Sequence, residues 1–276
     1  MAETTSTEKA TPETGTEAVT RAADVLLLFT GASLSLGVSE IARRLHLSKA
    51  VVYRILRSLM SRDLVVFDQS RRHYRLGPAA AALGARALRD LDLRTIALPV
   101  LRQLQQTTGE TATVTALMGI ARVYLDQVPS LKEIKMVIET GTPYPLHAGS
   151  SGKVILAFGA PDLRRHILSS PLPALTPQTK VNQEVLEAEL AQIVEMGTAF
   201  SRGERQPGAA SVAAPVLGYD GYALGSISVC GPIDRFTDEV IASLRPLVRE
   251  AARGISLQMG WDGILPQDIR ANPFRH

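Results

Sequence analysis

Residues 47–59 read LSKAVVYRILRSL, and this stretch decides the fold of the N-terminal part of the chain. Its apolar residues recur at steps of three and four, which predicts a helix with one face in a core. These apolar residues are Val52, Ile55, Leu56 and Leu59. Ser48 is a favourable N-cap for this helix. Lys49, Tyr53 and Arg57 are spaced by four residues, so another face of the helix presents cations and a phenol.

The segments on both sides of this helix predict a winged helix-turn-helix. Residues 19–29 and 38–45 each show a helical apolar pattern before it. Leu64–Phe67 and His73–Leu76 follow as two short strands, and the turn DQSRR between them carries two arginines. In this fold the second helix of the pair enters the major groove of DNA, while the hairpin meets the backbone or the minor groove. Residues 47–59 are therefore the predicted recognition helix.

The charge distribution favours a polyanionic partner, double-stranded DNA. From Arg43 to Arg75 there are nine arginines and lysines and two acids, a net charge of +7, whereas the whole chain carries +3. A solvated basic face is the alternative, which the helix pair and the basic hairpin disfavour. The predicted DNA-contacting residues are Ser39, Ser48, Lys49, Ala50, Tyr53, Arg54, Arg57, Arg71 and Arg72.

Length and composition predict two domains with flanking tails. A chain of 276 residues is long enough to bury two cores. Residues 1–17 are rich in Thr and Glu and are predicted to be a disordered tail. We assign 18–77 to the winged helix-turn-helix, 78–92 to an Ala-rich linker helix, 93–260 to a second domain and 261–276 to a loose C-terminal tail.

Composition also restricts the class of protein. The N-terminus lacks the apolar core of a signal peptide, and no apolar run approaches the ~20 residues that span a bilayer, so we expect a cytoplasmic protein without membrane contact. One cysteine, Cys230, excludes an internal disulfide framework and a Cys-rich zinc site. The histidines, which are scattered without metal-ligand spacing, are His46, His73, His147, His166 and His276. No metal site and no cofactor is predicted.

The second domain is predicted to be α+β. TATVTALM and ARVYLDQV read as strands that flank a hairpin turn at Gly119-Ile120, and residues 134–138 are a further candidate strand. Ser211–Val216 and Tyr222–Val229 precede an amphipathic C-terminal helix. Helices lying outside several antiparallel strands indicate an α+β domain. Three arginines are interpreted as solvated surface charges: Arg122, Arg164 and Arg165.

The densest cluster of small residues, PLHAGSSGKVILAF at 145–158, does not match any catalytic motif fully. A phosphate-binding loop would need other residues at His147 and Val154, and a nucleophile elbow would need glycine at Lys153. Ser150-x-x-Lys153 occurs without its usual companion motifs. No catalytic residue is therefore predicted. A Gly/Ser turn that enters a helix attracts an anion, which fits both a small-carboxylate pocket and an ordinary helix cap.

Several motifs together resemble the IclR-type transcriptional regulators. In the N-terminal half they are RAADVL from Arg21, VSEIARRLHLSK from Val38, YRILRSL from Tyr53 and YRLG at Tyr74–Gly77. In the C-terminal half they are PLHAGSSGK from Pro145, AAPV from Ala213, GSISVCGP from Gly225, and Arg235. The resemblance covers roughly residues 18–260, in order, and is specific to this two-domain family.

The resemblance implies a GAF/PAS-like C-terminal domain that binds a small, often carboxylate-bearing metabolite. It also implies a homodimer or homotetramer, held by the N-terminal domains and linker helices. The implied effector-binding residues are Gly149, Ser150, Ser151, Ser201, Ser211, Ser228 and Cys230. Ser201 stands where the family often has an acid, and Ser211 where it has a cysteine. Ser228 and Cys230 alternate with Ile227 and Val229, so they are alternatively small groups in a core.

We therefore expect a DNA-binding transcriptional regulator whose operator binding responds to a small, carboxylate-bearing effector, and not an enzyme. A partly palindromic operator follows from the pairing of subunits. Repression is the working assignment, although the sequence does not separate it from activation. Two alternatives stay open. One is a constitutive architectural DNA-binding protein whose C-terminal domain only oligomerises, and the other is a metabolic enzyme with an appended DNA-binding domain.

Overall fold

The computed structural model describes residues 14–30, 35–83 and 92–270. The chain divides into two compact units, Met1–Asp90 and Leu91–His276. The first combines helices with a two-stranded hairpin, and the second combines helices with a six-stranded sheet, so the predicted α+β class is confirmed. Most of the predicted N-terminal tail and the part of the predicted linker helix at 84–91 lie outside the described residues.

The first unit packs helices against an antiparallel hairpin. Its elements are α1 (Thr14–Leu27), α2 (Val38–Arg44), α3 (Lys49–Met60), β1 (Val65–Asp68), β2 (His73–Leu76) and α4, which the structure describes over residues 78–83. Helix α1 begins at Thr14, so the last four residues of the predicted disordered tail, 14–17, are helical. From α3, Val52 and Leu56 are fully buried in one cluster with Val25 of α1 and Ile41 of α2. The apolar stripe of α3 is thus the centre of this core.

A tight turn joins α2 to α3 and fixes the start of α3. His46 has a left-handed backbone with φ +53°, and the N–H of Leu47 donates to the carbonyl of Ala42 at 3.0 Å. The Ser48 hydroxyl accepts a hydrogen bond from the N–H of Val51 at 3.3 Å, as an N-cap does. The predicted cap is therefore present, and α3 begins at Lys49.

The second unit is a six-stranded antiparallel sheet with helices on both faces. Its strands are β3 (Thr111–Met118), β4 (Ala121–Val128), β5 (Pro143–Pro145), β6 (Ala199–Arg202), β7 (Ala209–Leu217) and β8 (Ala223–Pro232), in the order β5-β4-β3-β8-β7-β6. Its helices are α5 (Leu93–Thr108), α6 (Ser150–Ala157), α7 (Pro161–Leu168), α8 (Gln183–Met196), α9 (Asp238–Gln258) and α10 (Gln267–Arg270). Among the described residues, no helix is both long and apolar enough to cross a membrane.

The side chains of the central strands alternate between two differently composed faces of the sheet. On β8, Ile227 and Val229 are fully buried in an apolar cluster with residues of α5 and α9. Ser228 and Cys230 point to the other face, where they line a cavity together with Ser150 at the start of α6. One face of the sheet is therefore a conventional apolar core, and the other carries small polar side chains.

The segment predicted as a strand at 134–138 is irregular, and the strand next to β4 is β5 instead. Side chains take the place of a partner strand here. The amide of Gln127 donates to the carbonyl of Ile138 at 2.6 Å and accepts from its N–H at 2.9 Å. The Thr111 hydroxyl donates to the carbonyl of Met136 at 2.7 Å. Both backbone groups of Ile138 and the carbonyl of Met136 are thus satisfied without a ladder.

A buried carboxylate, Glu110, ties the same segment to the end of β8. Arg235 donates two hydrogen bonds to it at 2.7 and 2.8 Å, Lys132 donates a third at 2.7 Å, and Arg235 also donates to the carbonyl of Ile134 at 2.9 Å. Burial raises the pKa of the Glu110 carboxyl, but these cationic donors outweigh it and hold the pKa below its ordinary value. Glu110 therefore stays ionised at neutral pH and anchors the segment.

The C-terminal segment is packed where a loose tail was predicted. Ile269 of α10 is fully buried, and Trp261 and Leu265 pack on the same cluster. Asp268 accepts hydrogen bonds from the guanidinium of Arg164 and from the phenol of Tyr222, both at 3.0 Å. This also corrects the interpretation of Arg164 as a surface charge. Residues 271–276 of the predicted tail lie outside the described part of the chain.

We expect Ile269→Ala to lower the free energy of unfolding by about 2–3 kcal/mol, because it removes a buried aliphatic side chain. Ile264→Ala is the matched control, since Ile264 is 47% exposed in the same segment, and it should change stability by less than about 0.5 kcal/mol. Thermal unfolding followed by the fluorescence of Trp261, the one tryptophan of the chain, measures both. Equal midpoints for the two variants would mean that the segment does not pack in solution.

Candidate DNA-binding surface and ligand cavity

Helix α3 and the turn of the hairpin form an exposed basic surface on the first unit. All nine residues predicted to contact DNA are exposed: Ser39, Ser48, Lys49, Ala50, Tyr53, Arg54, Arg57, Arg71 and Arg72. The side chain of Tyr53 is 59% exposed between the cations of α3. The hydroxyl of Ser48 is already engaged as the N-cap. An exposed helix of this charge, placed second in its pair, has the form that enters a major groove.

The turn of the hairpin is held by Asp68, so that its arginines project. The carboxylate accepts hydrogen bonds from the hydroxyl of Ser70 at 2.6 Å, from its N–H at 2.9 Å and from the N–H of Arg71 at 3.2 Å. These bonds, chiefly that of the Ser70 hydroxyl, hold the pKa of Asp68 below its ordinary value. Arg72 takes a left-handed backbone, φ +54°. The one acid of the turn is therefore occupied internally, which leaves Arg71 and Arg72 available to phosphates.

A cleft between α2, α3 and the hairpin contains an aromatic residue that the sequence analysis missed. Phe67 is 39% exposed there and faces Tyr53 across the cleft, which Ser39 and the hairpin arginines also line. Its ring lies 4.8 Å from that of the buried Tyr74. An aromatic residue in a short strand predicts a core position, so the pattern gave no signal. Exposed, its ring offers apolar contact to a thymine methyl group.

In the second unit, the seven residues implied as an effector site surround one cavity. They are Gly149, Ser150, Ser151, Ser201, Ser211, Ser228 and Cys230. The cavity is narrow, with a volume of about 20 Å³, roughly the space of one water molecule. Ser228 and Cys230 therefore border this cavity, and Cys230 also packs in an apolar cluster with Tyr124 and Ile138. Part of the lining comes from Met136 and Ile138 of the irregular segment.

The Gly/Ser turn at the start of α6 is built as predicted, but its first N–H groups already have partners. Gly149 takes φ +80°, a conformation that favours glycine. Its N–H donates to the carboxylate of Glu204 at 3.1 Å, and the N–H of Ser150 donates to the hydroxyl of Ser201 at 3.1 Å. The Ser150 and Ser211 hydroxyls lie 2.6 Å apart. A ligand anion at this turn therefore needs a further source of positive charge.

Lys153, fully buried in α6, holds the carboxylate that closes this turn. Its ammonium donates to Glu204 at 2.6 Å, to Glu189 at 2.7 Å and to the carbonyl of Phe200 at 3.3 Å. A buried ammonium is costly unless it is paired and hydrogen-bonded, and here all three donors are used. Lys153 is therefore a structural cation, and the negative charge of Glu204 is neutralised by it.

Arg122 of β4 is the cavity residue that sequence reasoning placed wrongly. It was interpreted as a surface charge, yet it is 1% exposed and lines the cavity. Its Nη2 donates to the carbonyl of Ala148 at 3.2 Å, whereas Nε and Nη1 have no hydrogen-bond partner within the described residues. The guanidinium lies 5.1 and 5.6 Å from the ring centres of Tyr124 and Tyr144. A buried guanidinium with two unpartnered nitrogens is an anion-binding group.

The position of Arg122 against α6 makes the binding of an anion beside it more favourable. A Cβ atom on Gly152 would lie 2.9 Å from Nε of Arg122, and one on Gly149 would lie 3.5 Å from Nη2. The guanidinium thus packs on the first turn of α6, where the helix dipole is also positive. Glycine at 152 permits this approach. The guanidinium and the positive end of α6 lie side by side, which raises the free-energy cost of burying the guanidinium. An anion bound between them would offset this cost.

The opposite side of the cavity is neutral. The hydroxyls of Thr113 and Ser228 lie 2.8 Å apart and share a hydrogen bond across β3 and β8. Burial raises the pKa of the Cys230 thiol to about 12. This side offers weak and neutral hydrogen bonds, whereas the Arg122 side of the cavity carries positive charge. Among the described residues, no group of His, Cys, Asp or Glu is placed to hold a metal ion.

The family models and the curated relatives both show that the chain is similar to transcriptional regulators of the IclR type. Residues 18–69 match the IclR helix-turn-helix domain, and residues 85–257 match the model described as bacterial transcriptional regulator IclR C-terminal. The HTH-type transcriptional regulator BhcR of Paracoccus denitrificans is 35% identical over 89% of this chain and 88% of its own. The HTH-type transcriptional repressor AllR of Escherichia coli K12 is 29% identical over 89% and 91%.

Solved structures show the same two-domain plan. An IclR transcriptional regulator from Silicibacter sp. TM1040 superposes with a TM-score of 0.77 at 30% identity, over 90% of this chain and 97% of that chain. An IclR homologue from Microbacterium hydrocarbonoxydans, solved in complex with 4-hydroxybenzoate, superposes with a TM-score of 0.54 at 26% identity, over 88% and 98%. The match therefore spans both units rather than one.

We expect the Cys230 thiol to react with iodoacetamide at least about a hundred-fold more slowly in the folded protein than in urea. With a pKa of about 12, the thiolate is a minute fraction at pH 8. The folded rate should still rise about tenfold per pH unit from pH 8 to 10, whereas the rate in urea should level off above about pH 9. A folded rate that levels off near pH 9 would contradict the burial of this thiol.

Proposed function

The chain belongs to the IclR family of bacterial transcriptional regulators, and we propose that a small carboxylate binds in its cavity and changes its affinity for one operator. Like its named relatives, it is a DNA-binding regulator and not an enzyme. Binding of DNA and of a small ligand are the activities that the two family domains carry out. The proposal adds the chemical class of the ligand and the residues that carry each step.

The observation that carries the carboxylate proposal is the guanidinium of Arg122. It is buried, it keeps Nε and Nη1 without partners, and it lies against the positive end of α6. An arginine binds a carboxylate through two parallel N–H bonds, which come from Nη2 together with either Nε or Nη1, so Nη2 and one unpartnered nitrogen of Arg122 would form them. Ser201 adds a hydroxyl, rather than a second carboxylate that would repel an anion. The relative solved with 4-hydroxybenzoate holds a carboxylate ligand, which supports the same class here.

Two base-reading residues and two phosphate-binding residues are proposed for the operator. Arg54 and Arg57 are exposed on the recognition helix, where an arginine can pair with the major-groove edge of guanine. Arg71 and Arg72 lie on the hairpin, where contacts go mainly to the backbone. Ser39, Lys49 and the remaining predicted residues would then position the domain. Repression is proposed because AllR is named a repressor.

We also propose that the protein works as a homodimer or homotetramer on a partly palindromic operator. A single winged helix-turn-helix reads a short half-site, and pairing of two copies doubles the contacts. The alanine-rich segment that begins at Pro78 is the proposed contact between copies. Ligand binding would alter operator affinity by a coupling of about 1–3 kcal/mol.

An architectural DNA-binding protein would have no use for a polar cavity. In such a protein the second unit would only oligomerise, and a buried arginine with unused N–H groups would destabilise it without benefit. The cavity therefore favours a ligand-responsive regulator.

Replacing Arg54 or Arg57 with Ala should cost about 1–3 kcal/mol on the operator and little on random DNA, because base contacts are lost. Arg71→Ala should weaken binding to both DNAs alike and reduce the slope of log K against log salt by about one unit per subunit. Gel shift over a salt series separates the two classes. Arg165→Ala, an exposed charge far from this surface in sequence, is the control. Losses from Arg54→Ala and Arg57→Ala that are equal on operator and random DNA, with Arg165→Ala unchanged, would exclude readout by α3.

Ser228→Leu should abolish the ligand response while leaving binding of the unliganded protein to the operator near normal. Ser228 is 2% exposed and borders a cavity of about 20 Å³, so a leucine fills it. Ser243→Leu places the same change on an exposed face of α9 and should leave the response intact. Calorimetry with a screened carboxylate, together with gel shift, measures both. A full response in the Ser228 variant would locate the ligand elsewhere.

A further inference from the structure

We propose that the effector is a short dicarboxylate, with one carboxylate held by Arg122 inside the cavity and the other by Arg205 at its margin. The inference rests on the proposed function, because it specifies the ligand of that same site. It adds a specificity-determining residue, Arg205, which would select dianions over monoanions.

The charges around the cavity balance when the ligand carries two negative charges. Two lysines and two glutamates neutralise one another through the ion pairs Lys153–Glu204 at 2.6 Å, Lys153–Glu189 at 2.7 Å and Lys180–Glu189 at 3.0 Å. Neither Arg122 nor Arg205 has an ion pair with a carboxylate in the described part of the chain. Arg205 donates a hydrogen bond to the neutral side-chain amide of Gln206 at 3.1 Å, which leaves its charge unpaired. Two positive charges are thus left uncompensated.

The two guanidiniums lie close enough to share one ligand. Arg205 lies 5.9 and 5.2 Å from the ring centres of Tyr124 and Tyr144, the same rings that Arg122 approaches at 5.1 and 5.6 Å. Both arginines also border Gly149, since a Cβ there would meet Nη2 of Arg122 and Cβ of Arg205, each at 3.5 Å. The two guanidiniums carry like charges near the same two rings, so they repel each other. A dianion between them relieves the repulsion and pairs with both.

The dimensions of the cavity favour a short ligand. At about 20 Å³ it holds roughly one water, so a ligand with a backbone of about two to four carbon atoms requires the least movement of the lining. The side chain of Gln206, at the margin, is exposed and free to move aside. The hydroxyls of Ser201 and Ser211, 3.2 Å apart, complete the wall between the two arginines.

A monocarboxylate satisfies Arg122 and leaves Arg205 uncompensated, whereas a dicarboxylate satisfies both. Because hydrogen bonds between charged groups are worth more than neutral ones, we expect a dicarboxylate to bind at least about tenfold more tightly than the monocarboxylate of equal length. Arg205→Gln should reduce dicarboxylate affinity about tenfold and change monocarboxylate affinity less than about twofold. Arg205→Lys, which keeps the charge, should retain part of the preference.

The test is calorimetric titration of the full-length protein with matched pairs of ligands. The probes are oxalate against acetate, malonate against propionate and succinate against butyrate, at constant ionic strength. Wild type, Arg205→Gln and Arg205→Lys are compared with Arg165→Gln, an exposed arginine of α7. A preference for one dicarboxylate that falls in Arg205→Gln and survives in Arg165→Gln supports the inference.

Three results would overturn it. Equal affinity of wild type for both members of every pair rejects the dianion and leaves the proposed carboxylate effector standing. Retention of the full preference in Arg205→Gln rejects the role of Arg205. Absence of heat and of thermal stabilisation with all six ligands and with benzoates rejects the carboxylate effector itself. If Arg205→Gln does not fold, Arg205→Lys carries the comparison, since its loss of affinity should be specific to dicarboxylates.

Discussion

The alternation of side chains along β8 determines both the stability of the second unit and the chemistry of its cavity. This strand lies between β3 and β7, in the interior of the sheet. Ile227 and Val229 enter the apolar core under α5 and α9, while Ser228 and Cys230 face the cavity. A shift of one residue in register would put hydroxyls into the apolar core and an isoleucine into the cavity. Correct strand pairing therefore builds the cavity at the same time as the core.

Two buried cations on the cavity side of the sheet differ in how fully their donors are paired. Lys153 uses all three of its donors on two carboxylates and a carbonyl, so its burial is compensated within the fold. Arg122 uses one nitrogen on a carbonyl and keeps two others unused. Both residues are inaccessible to solvent, and their partners alone distinguish them. Among the described residues, Arg122 is thus a buried charge that the fold itself leaves incompletely paired.

Most of the fold and part of the site could be predicted from the sequence, because local patterns carry them. The stripe of Val52 and Leu56, the cap at Ser48 and the alternation around Ser228 are all visible within a few residues. Arg122 was missed because its burial depends on contacts with Ala148 and with rings on two strands, which no local pattern records.

Two further differences have the same origin in distant contacts. The irregular segment around Ile138 is satisfied by the side chain of Gln127, eleven residues earlier, where the composition suggested a strand. The C-terminal segment is fixed by Asp268, which binds Arg164 and Tyr222 far away in sequence. A polar residue in such a segment is predicted to be exposed to solvent when its distant partners are unknown. Their partners become known once the chain is folded.

The outer edge of the large sheet has a consequence for the behaviour of the protein at high concentration. The edge strand next to β4 is β5. It is three residues long and contains Pro143 and Pro145, which have no N–H to donate to a neighbouring chain. Unpaired edges template edge-to-edge association and aggregation, and short edge strands rich in proline prevent it. The other edge strand, β6, has four residues. The proline-containing edge at β5 therefore disfavours addition of a strand from a second molecule, and the short edge at β6 leaves few backbone groups for such pairing.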